Sequence, residues 1–439
     1  MSFATEIDQR ILRDPAAGRQ QAAELARMGR DEQQLRHAQR TLTDRREGLR
    51  SEDARHVPID HLDTGAGPVG LIARGEVLVA GEESATERTI LASAGFGLVS
   101  GLDGLRRYLK PGAPVDDVVA VIGRLTEAES IAAPNYVIVA GHTVKAAAPG
   151  EIRAGIVLKS VLTPGEITAG IVMKTAMCAG GPRPTTSEPP ARRTDDDRGT
   201  GVRVAVLDTT IDPSDVFALH GLLSDVTVDS PPAVDGPDLD TAAGHGAFVA
   251  ALVRQVAPAA AVQVLPVLAG DGLGTEYALC EALHRLAAAP TPPHLVNLSL
   301  SAATAGDAVP VGLPRALDAL LARHPETVVV AAAGNNGSDV APWPAAHRDV
   351  VAVAAVDADG EPAAYSNRGE WVDFSAPADG VVSAYPAGSG FAAWTGTSFA
   401  APQVVGALAG KIGDGQTGPE ALAALRAESS PRPNVGHVL

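Results

Sequence analysis

The rhythm of apolar and polar positions changes several times along this 439-residue chain, and each change marks a boundary. Residues 1–57 carry many Arg, Glu and Asp and few large apolar residues. That pattern predicts solvated helices over Gln20–Leu35 and Leu35–Leu49, in a loosely attached charged arm taken to run to residue 74. Between 75 and 142 short apolar runs alternate with helical spacing. Strands are expected at Glu76–Ala80, within Gly97–Tyr108 and at Ile131–Ala140. Helices are expected at Ser84–Ala94, opening on a Ser cap, and at Val115–Leu125. Such alternation in under about a hundred residues predicts a small α+β unit, a split βαβ sandwich.

From residue 201 to 439 the pattern is that of a doubly wound, mostly parallel α/β sheet. Val202–Leu207, Ala261–Leu268, Leu295–Leu300, Thr327–Ala333 and Val350–Val356 are near-continuous Val/Leu/Ala runs, as strands buried on both faces require. Ala-rich helical stretches separate them at Ala247–Gln255, Glu276–Ala288, Leu313–His324 and Phe399–Lys411. Chemistry in such sheets collects at the carboxyl ends of the strands, where Asp208, Ser299 and Asn335 fall.

Two connecting stretches differ from both. Within 143–178, Ala154-Gly155-Ile156-Val157-Leu158-Lys159 and Ala169-Gly170-Ile171-Val172-Met173-Lys174 echo Ala140-Gly141-His142-Thr143-Val144-Lys145, with Pro-Gly-Glu-Ile turns from Pro149 and Pro164 between them. Pro-Gly punctuation between apolar runs fits a small β-meander; a set of substrate-like baits is the functional alternative. Residues 179–200 are Pro, Thr, Arg and Asp with almost nothing apolar, a protease-accessible linker by composition.

Composition narrows the function. A net charge of −17 argues against a nucleic-acid or anionic-membrane partner. Two cysteines, Cys178 and Cys280, allow one bridge at most, so this is no disulfide scaffold; Cys280 falls on an apolar helix face. Residues 1–13 are charged and amphipathic, and no apolar run is long enough to cross a bilayer, which makes a cytoplasmic location the expectation.

Four short segments carry the candidate chemistry. Gly396-Thr397-Ser398-Phe399-Ala400-Ala401-Pro402 reads as a tight turn into a helix, with Ser398 at the helix N-terminus where negative charge is favoured. A serine hydroxyl needs a base, an orienting acid and a home for the oxyanion. Asp208 ends the first buried strand and is placed to hold a histidine tautomer. His245, in Gly244-His245-Gly246, precedes an apolar helix, and its flanking glycines are expected to leave the ring free to swing. Asn335, closing Ala331-Ala332-Ala333-Gly334, is a suitable amide donor to an oxyanion. Taken alone each has a bland reading: a turn Asp, a packed His, an Asn-Gly turn.

Together they resemble the subtilisin-like serine peptidases, in the order Asp208, His245, Asn335, Ser398 and with Gly-Thr-Ser-x-Ala-x-Pro as the most specific motif. The resemblance covers roughly residue 201 to the C-terminus. It implies Ser398 as nucleophile, His245 as general base and then acid, Asp208 as orienter, and Asn335 with the Ser398 N–H as oxyanion hole. Ser299-Leu300-Ser301 resembles the family's Ser-Leu-Gly edge strand, which binds substrate backbone by β-addition. Ser301 in place of Gly narrows the adjoining pocket, whose facing wall would be Ala332-Ala333-Gly334 with Pro342 and Trp343 near its base. A small or medium apolar residue before the scissile bond is the expectation.

The chain departs from the family at Thr210 and Ala251, where Gly is usual. Val253-Arg254-Gln255 runs straight into Val256-Ala257-Pro258 without the calcium-binding insertion of many subtilases. No metal and no cofactor are therefore expected, and Asp357-Ala358-Asp359 reads as a turn. The 75–142 unit, with Ala133-Pro134-Asn135-Tyr136-Val137, resembles the family's inhibitory propeptide, a ferredoxin-like sandwich that lays its tail through the active cleft. The reading is a serine endopeptidase acting on peptide or protein substrates, with its own N-terminal domain as intramolecular inhibitor until a cut between about His142 and Gly201. The alternatives are a cytoplasmic leader-cleaving maturation peptidase and an inactive binding or regulatory form of the fold.

Overall fold

The computed structural model describes residues 10–28, 57–64, 70–140, 182–189, 195–211, 221–229, 242, 244–302, 304–305, 308–357, 359–386 and 390–439. The repeats of 143–178, Cys178 and the second expected arm helix lie outside them. The first part of the chain holds α1 (Pro15–Met28), β1 (Ile59–Leu62), β2 (Gly70–Ala80), α2 (Ala85–Ala94), β3 (Gly97–Leu102), β4 (Leu105–Leu109), α3 (Val115–Glu127) and β5 (Ile131–Ala140). Then come β6 (Arg183–Pro184), β7 (Arg203–Thr209), β8 (Thr227–Val228), α4 (His245–Val256), β9 (Ala261–Leu268), β10 (Leu273–Thr275), α5 (Glu276–Ala288), β11 (Leu295–Leu298) and β12 (Leu300–Ala302). The C-terminal part adds α6 (Leu313–Arg323), β13 (Val328–Ala332), β14 (Val350–Val356), β15 (Phe374–Pro377), β16 (Val381–Ala384) and β17 (Phe391–Trp394). A 3-10 turn (Thr397–Phe399), α7 (Ala401–Gly413), α8 (Gly418–Glu428), β18 (Ser430–Arg432) and β19 (Gly436–Val438) complete it.

A parallel sheet in the order β9-β7-β11-β13-β14-β15 forms the centre. Its apolar runs split by strand alternation into two cores. Val204, Val206, Val330 and Ala332 face one, with Phe248 of α4 and Val404 of α7; Ala205, Leu207, Val329 and Ala331 face the other, with Leu283 of α5 and Leu317 of α6. This is the doubly wound, mostly parallel α/β sheet that the apolar runs predict. Among the described residues no helix is long and apolar enough to cross a membrane.

The N-terminal unit has βαββαβ connectivity, with β5-β2-β4-β3 antiparallel and α2 and α3 on one side. Ser84 Oγ caps α2 by accepting from the Glu87 N–H at 3.0 Å. The unit begins earlier than residue 75: β2 starts at Gly70, and β1 pairs with it, Ile59 opposite Ala73. Val77, Val121 and Tyr136 of this unit share a continuous core with Leu279, Cys280 and Leu313 of α5 and α6.

Two stretches expected to be solvated are docked instead. Helix α1 starts at Pro15 and buries Gln21 and Leu25 completely, both at 0% exposure. In the linker, Arg183–Pro184 pairs with β17, and Asp196 accepts from Arg10 at 2.9 Å and from the Arg198 Nε at 2.8 Å. The ion pairs here join the two stretches to each other, Arg10 to Asp196 at 2.9 Å and Arg183 to Glu24 at 3.3 Å.

Candidate active site

Asp208 is the penultimate residue of β7, at the carboxyl end of the sheet. Its side chain is fully buried, so its oxygens need donors. The Thr209 N–H donates to Oδ1 at 2.7 Å, and His245 Nδ1 lies 2.7 Å from Oδ1 and 2.9 Å from Oδ2. A carboxylate only accepts, so this contact holds the hydrogen on Nδ1 and leaves Nε2 as the basic nitrogen.

His245 opens α4. Gly246 donates its N–H to Thr209 Oγ1 at 2.9 Å, and a Cβ at Gly246 would overlap the Thr209 carbonyl oxygen. Gly246 therefore lets backbone meet backbone, while Gly244 makes room for the Pro386 and Tyr385 side chains. The two glycines do not free the ring, contrary to the sequence expectation. The imidazole is enclosed by Trp394, edge-on with centroids 5.4 Å apart, and by Phe399 at 5.5 Å. Phe399 was legible as the neighbour of Ser398; nothing in the sequence marked Trp394.

Ser398 sits in the 3-10 turn ahead of α7 rather than in its first turn; the α-helix begins at Ala401, with Pro402 where no N–H is missed. The Ser398 hydroxyl donates to the Ser299 carbonyl at 3.3 Å, and Ser299 Oγ donates to the Ser398 carbonyl at 2.8 Å. Asn297 Nδ2 donates in turn to Ser299 Oγ at 2.9 Å. This tie breaks the expected Leu295–Leu300 strand at Ser299 into β11 and β12.

Asn335 follows β13 with its amide fixed from one side. Its Oδ1 accepts from both the main-chain N–H and the hydroxyl of Thr397, each at 2.9 Å. Thr397 Oγ1 accepts from the Gly334 N–H at 3.0 Å. Two donors on Oδ1 settle which end of the amide is oxygen and turn Nδ2 toward Gly396, whose Cβ, if present, would lie 3.1 Å from it. Thr397 is thus a positioning residue that sequence reasoning quoted without giving it a role. Asn367 pins the loop beyond, accepting from Asn336 N at 3.0 Å and Ser338 N at 2.9 Å, and donating to the Ala333 carbonyl at 2.8 Å. Pro342 borders Gly334, and the Trp343 carbonyl accepts from Ala302 N at 2.7 Å.

Leu300 and Ser301 lie on β12, and β10 runs on the other side of the same groove. Strand β5 fills the groove antiparallel to both. Leu300 stands opposite Ala140, Ser301 opposite Val139 and Ala302 opposite Ile138, while Leu273 faces Val139 and Thr275 faces Val137. Beside it, Asn135 Oδ1 accepts from the Tyr277 N–H at 3.1 Å at the start of α5, and Asn135 Nδ2 donates to Glu76 at 2.6 Å. Arg107 pairs with Glu76 through Nε at 2.8 Å. Glu276, the first residue of α5, is wholly buried and its carboxyl is pushed up to about 7 by desolvation; main-chain donors oppose the shift, Gly312 N at 2.6 Å and Leu313 N at 3.1 Å among them.

Asp318, His347 and Asp349 are the described group whose ligand atoms lie within 4.8 Å of one another. His347 Nδ1 already accepts from the Asp349 N–H, and Arg348 reaches both carboxylates, at 3.7 and 3.0 Å. Asp357 forms a turn, accepting from Asp359 N and Glu361 N, both at 2.9 Å.

The family model for the subtilase family matches residues 199–419, half of the chain. The chain belongs to the subtilase family. Subtilisin BL from Lederbergia lenta is 34% identical over 220 residues, 48% of this chain and 76% of that protein. Alkaline elastase YaB from Bacillus sp. (strain YaB) is 34% identical over 220 residues, 48% of this chain and 54% of that protein. Among solved structures, the protease domain of PatA is 27% identical with a TM-score of 0.47, covering 56% of this chain and 94% of that one. This subtilase is a serine endopeptidase, a hydrolase of peptide or protein substrates.

Proposed function

We propose that the subtilase works through Asp208, His245 and Ser398. Ser398 Oγ attacks the scissile carbonyl and passes its proton to His245 Nε2 as general base. Asp208 holds Nδ1–H and stabilises the imidazolium that forms. The carbonyl oxygen becomes an oxyanion, received by Asn335 Nδ2 and the Ser398 N–H. Collapse transfers the His245 proton to the leaving amine and leaves an acyl-enzyme, which water hydrolyses by the reverse proton route. The observation that carries this reading is the buried contact of His245 Nδ1 with both Asp208 oxygens, at 2.7 and 2.9 Å. Leu300, Ser301, Ala333 and Gly334 then bind the substrate backbone and line the pocket before the scissile bond.

The same chain is made as an autoinhibited precursor, with the βαββαβ unit of residues 57–140 as its inhibitor. Strand β5 in the groove between β10 and β12 supports this, because it takes the place of an extended substrate. Residues 141–181 join the inhibitor to the peptidase and carry the cut. Peptide turnover by wild type and Ser398→Ala, alongside thermal melts, tests the assignment. Loss of turnover at an unchanged melting temperature is expected; full activity in the variant overturns it.

A further inference from the structure

Helix α1 precedes the inhibitor-like unit in sequence, yet it docks on the peptidase body. Leu25 is fully buried in the core that holds α4 and α7, and Ile11 is 3% exposed. The segment is also tied through its main chain. Asp14 N donates to the Gly380 carbonyl at 2.7 Å and Val382 N to the Leu12 carbonyl at 2.9 Å, while a Cβ at Gly380 would overlap the Asp14 carbonyl oxygen.

Within this docking the Gln21 side chain is aimed at the end of β17. Gln21, at 0% exposure, donates through Nε2 to the Ala393 carbonyl at 3.1 Å. Its Oε1 accepts from the Thr395 hydroxyl at 2.8 Å, and Thr395 Oγ1 accepts from Gly380 N at 2.8 Å. Gln21 thus grips the residues on either side of Trp394, the ring that borders His245. Three residues beyond Thr395 lies Ser398.

We infer that Gln21 is a positioning residue for catalysis, holding the Ala393–Thr395 segment so that Trp394 confines His245 and the turn presents Ser398. Residues 10–28 are then a working part of the peptidase rather than of the inhibitor, and they stay bound to it after the chain is cut. Hydrogen bonding, not packing, carries the effect: an apolar side chain of similar shape takes the Gln21 donor from the Ala393 carbonyl and the Gln21 acceptor from the Thr395 hydroxyl hydrogen, both in a buried setting.

The inference rests on Ser398 as the nucleophile, and its test separates the two. Gln21→Met keeps the volume and loses both bonds; Leu25→Ala, one turn along α1, loses packing only. In the full chain, Gln21→Met is expected to lower kcat at least tenfold with KM within twofold, at a temperature well below its Tm. Leu25→Ala is expected to lower Tm and leave kcat near wild type. Amide hydrogen exchange over residues 393–399, measured in the Ser398→Ala background, needs no turnover. It should speed up at least tenfold with Gln21→Met and stay unchanged with Leu25→Ala. Wild-type kcat and wild-type exchange in Gln21→Met, or effects in both variants that merely follow Tm, overturn the inference. A wild type with no Ser398-dependent turnover counts against the nucleophile, while the exchange result still decides the role of Gln21.

Discussion

The main chain of Ala140 stands opposite that of Leu300, with Val139 opposite Ser301, in an antiparallel pair beside Ser299. An extended strand in that register is held by backbone hydrogen bonds of the kind that bind a substrate. Val139→Pro removes one N–H from the pairing with β10 and β12 and adds a ring where the strands are close. The uncut chain carrying this change is expected to label at Ser398 severalfold faster with a fluorophosphonate. Equal labelling rates would mean that β5 does not guard the site.

Asn335→Leu removes the proposed oxyanion donor and should lower kcat about 10²–10³-fold with little change in KM. That magnitude is the one known for loss of such a donor in subtilisin itself. Thr397→Val keeps the backbone bond to Asn335 Oδ1 and loses the hydroxyl one, so a smaller loss of about tenfold in kcat is expected. Steady-state kinetics on a peptide substrate checks both, and a Thr397→Val loss larger than that of Asn335→Leu contradicts the order of roles.

Gly246→Ala places a methyl against the Thr209 carbonyl oxygen. Relief requires α4 to move, and His245 moves with it. A stability loss of about 1–3 kcal/mol is expected, as for other overpacked sites. It should come with a fall in kcat beyond tenfold; a melt and a rate within error of wild type would show that the contact relaxes freely.

Glu276 gives the fold a pH signature. Its carboxyl is raised from 4.5 to about 7, so the folded state holds the proton more tightly than the unfolded chain. Its contribution is fully present below about 4.5, falls as pH rises to about 7, and is flat beyond. At about 1.4 kcal/mol per pH unit the total is about 3 kcal/mol. Glu276→Gln has no such titration, so the stability of wild type relative to this variant should decline between pH 5 and 7 in denaturant melts. Parallel curves across that window would contradict the assignment.

The parts of the fold legible in sequence were those whose surroundings are set locally. Ile131–Ala140, Ala261–Leu268, Glu276–Ala288 and Val350–Val356 have the bounds their patterns predict; Val350–Val356 is apolar and buried throughout, and α5 opens on a Thr275 cap. The proposed site residues, Asp208, His245, Asn335 and Ser398, are each marked by a short glycine-bearing or strand-end context. What stayed hidden depends on distant partners. Gln21 reads as a solvated helix position, and its burial follows from bonds to Ala393 and Thr395, some 372 positions away for Ala393. The strand break at Ser299 follows from its bond to the Ser398 carbonyl, 99 positions on. No periodicity carries such information.

Intact mass of freshly purified wild type beside Ser398→Ala, followed over several hours, tests the central claim most directly. One step beyond Ala140 in the register with β12 leads to Ser299, the residue whose carbonyl accepts from the Ser398 hydroxyl. The first cut is therefore expected just beyond β5, within Gly141-His142-Thr143, in the wild type alone. Two stable full-length masses, or equal fragmentation of both proteins, would contradict a precursor that Ser398 opens.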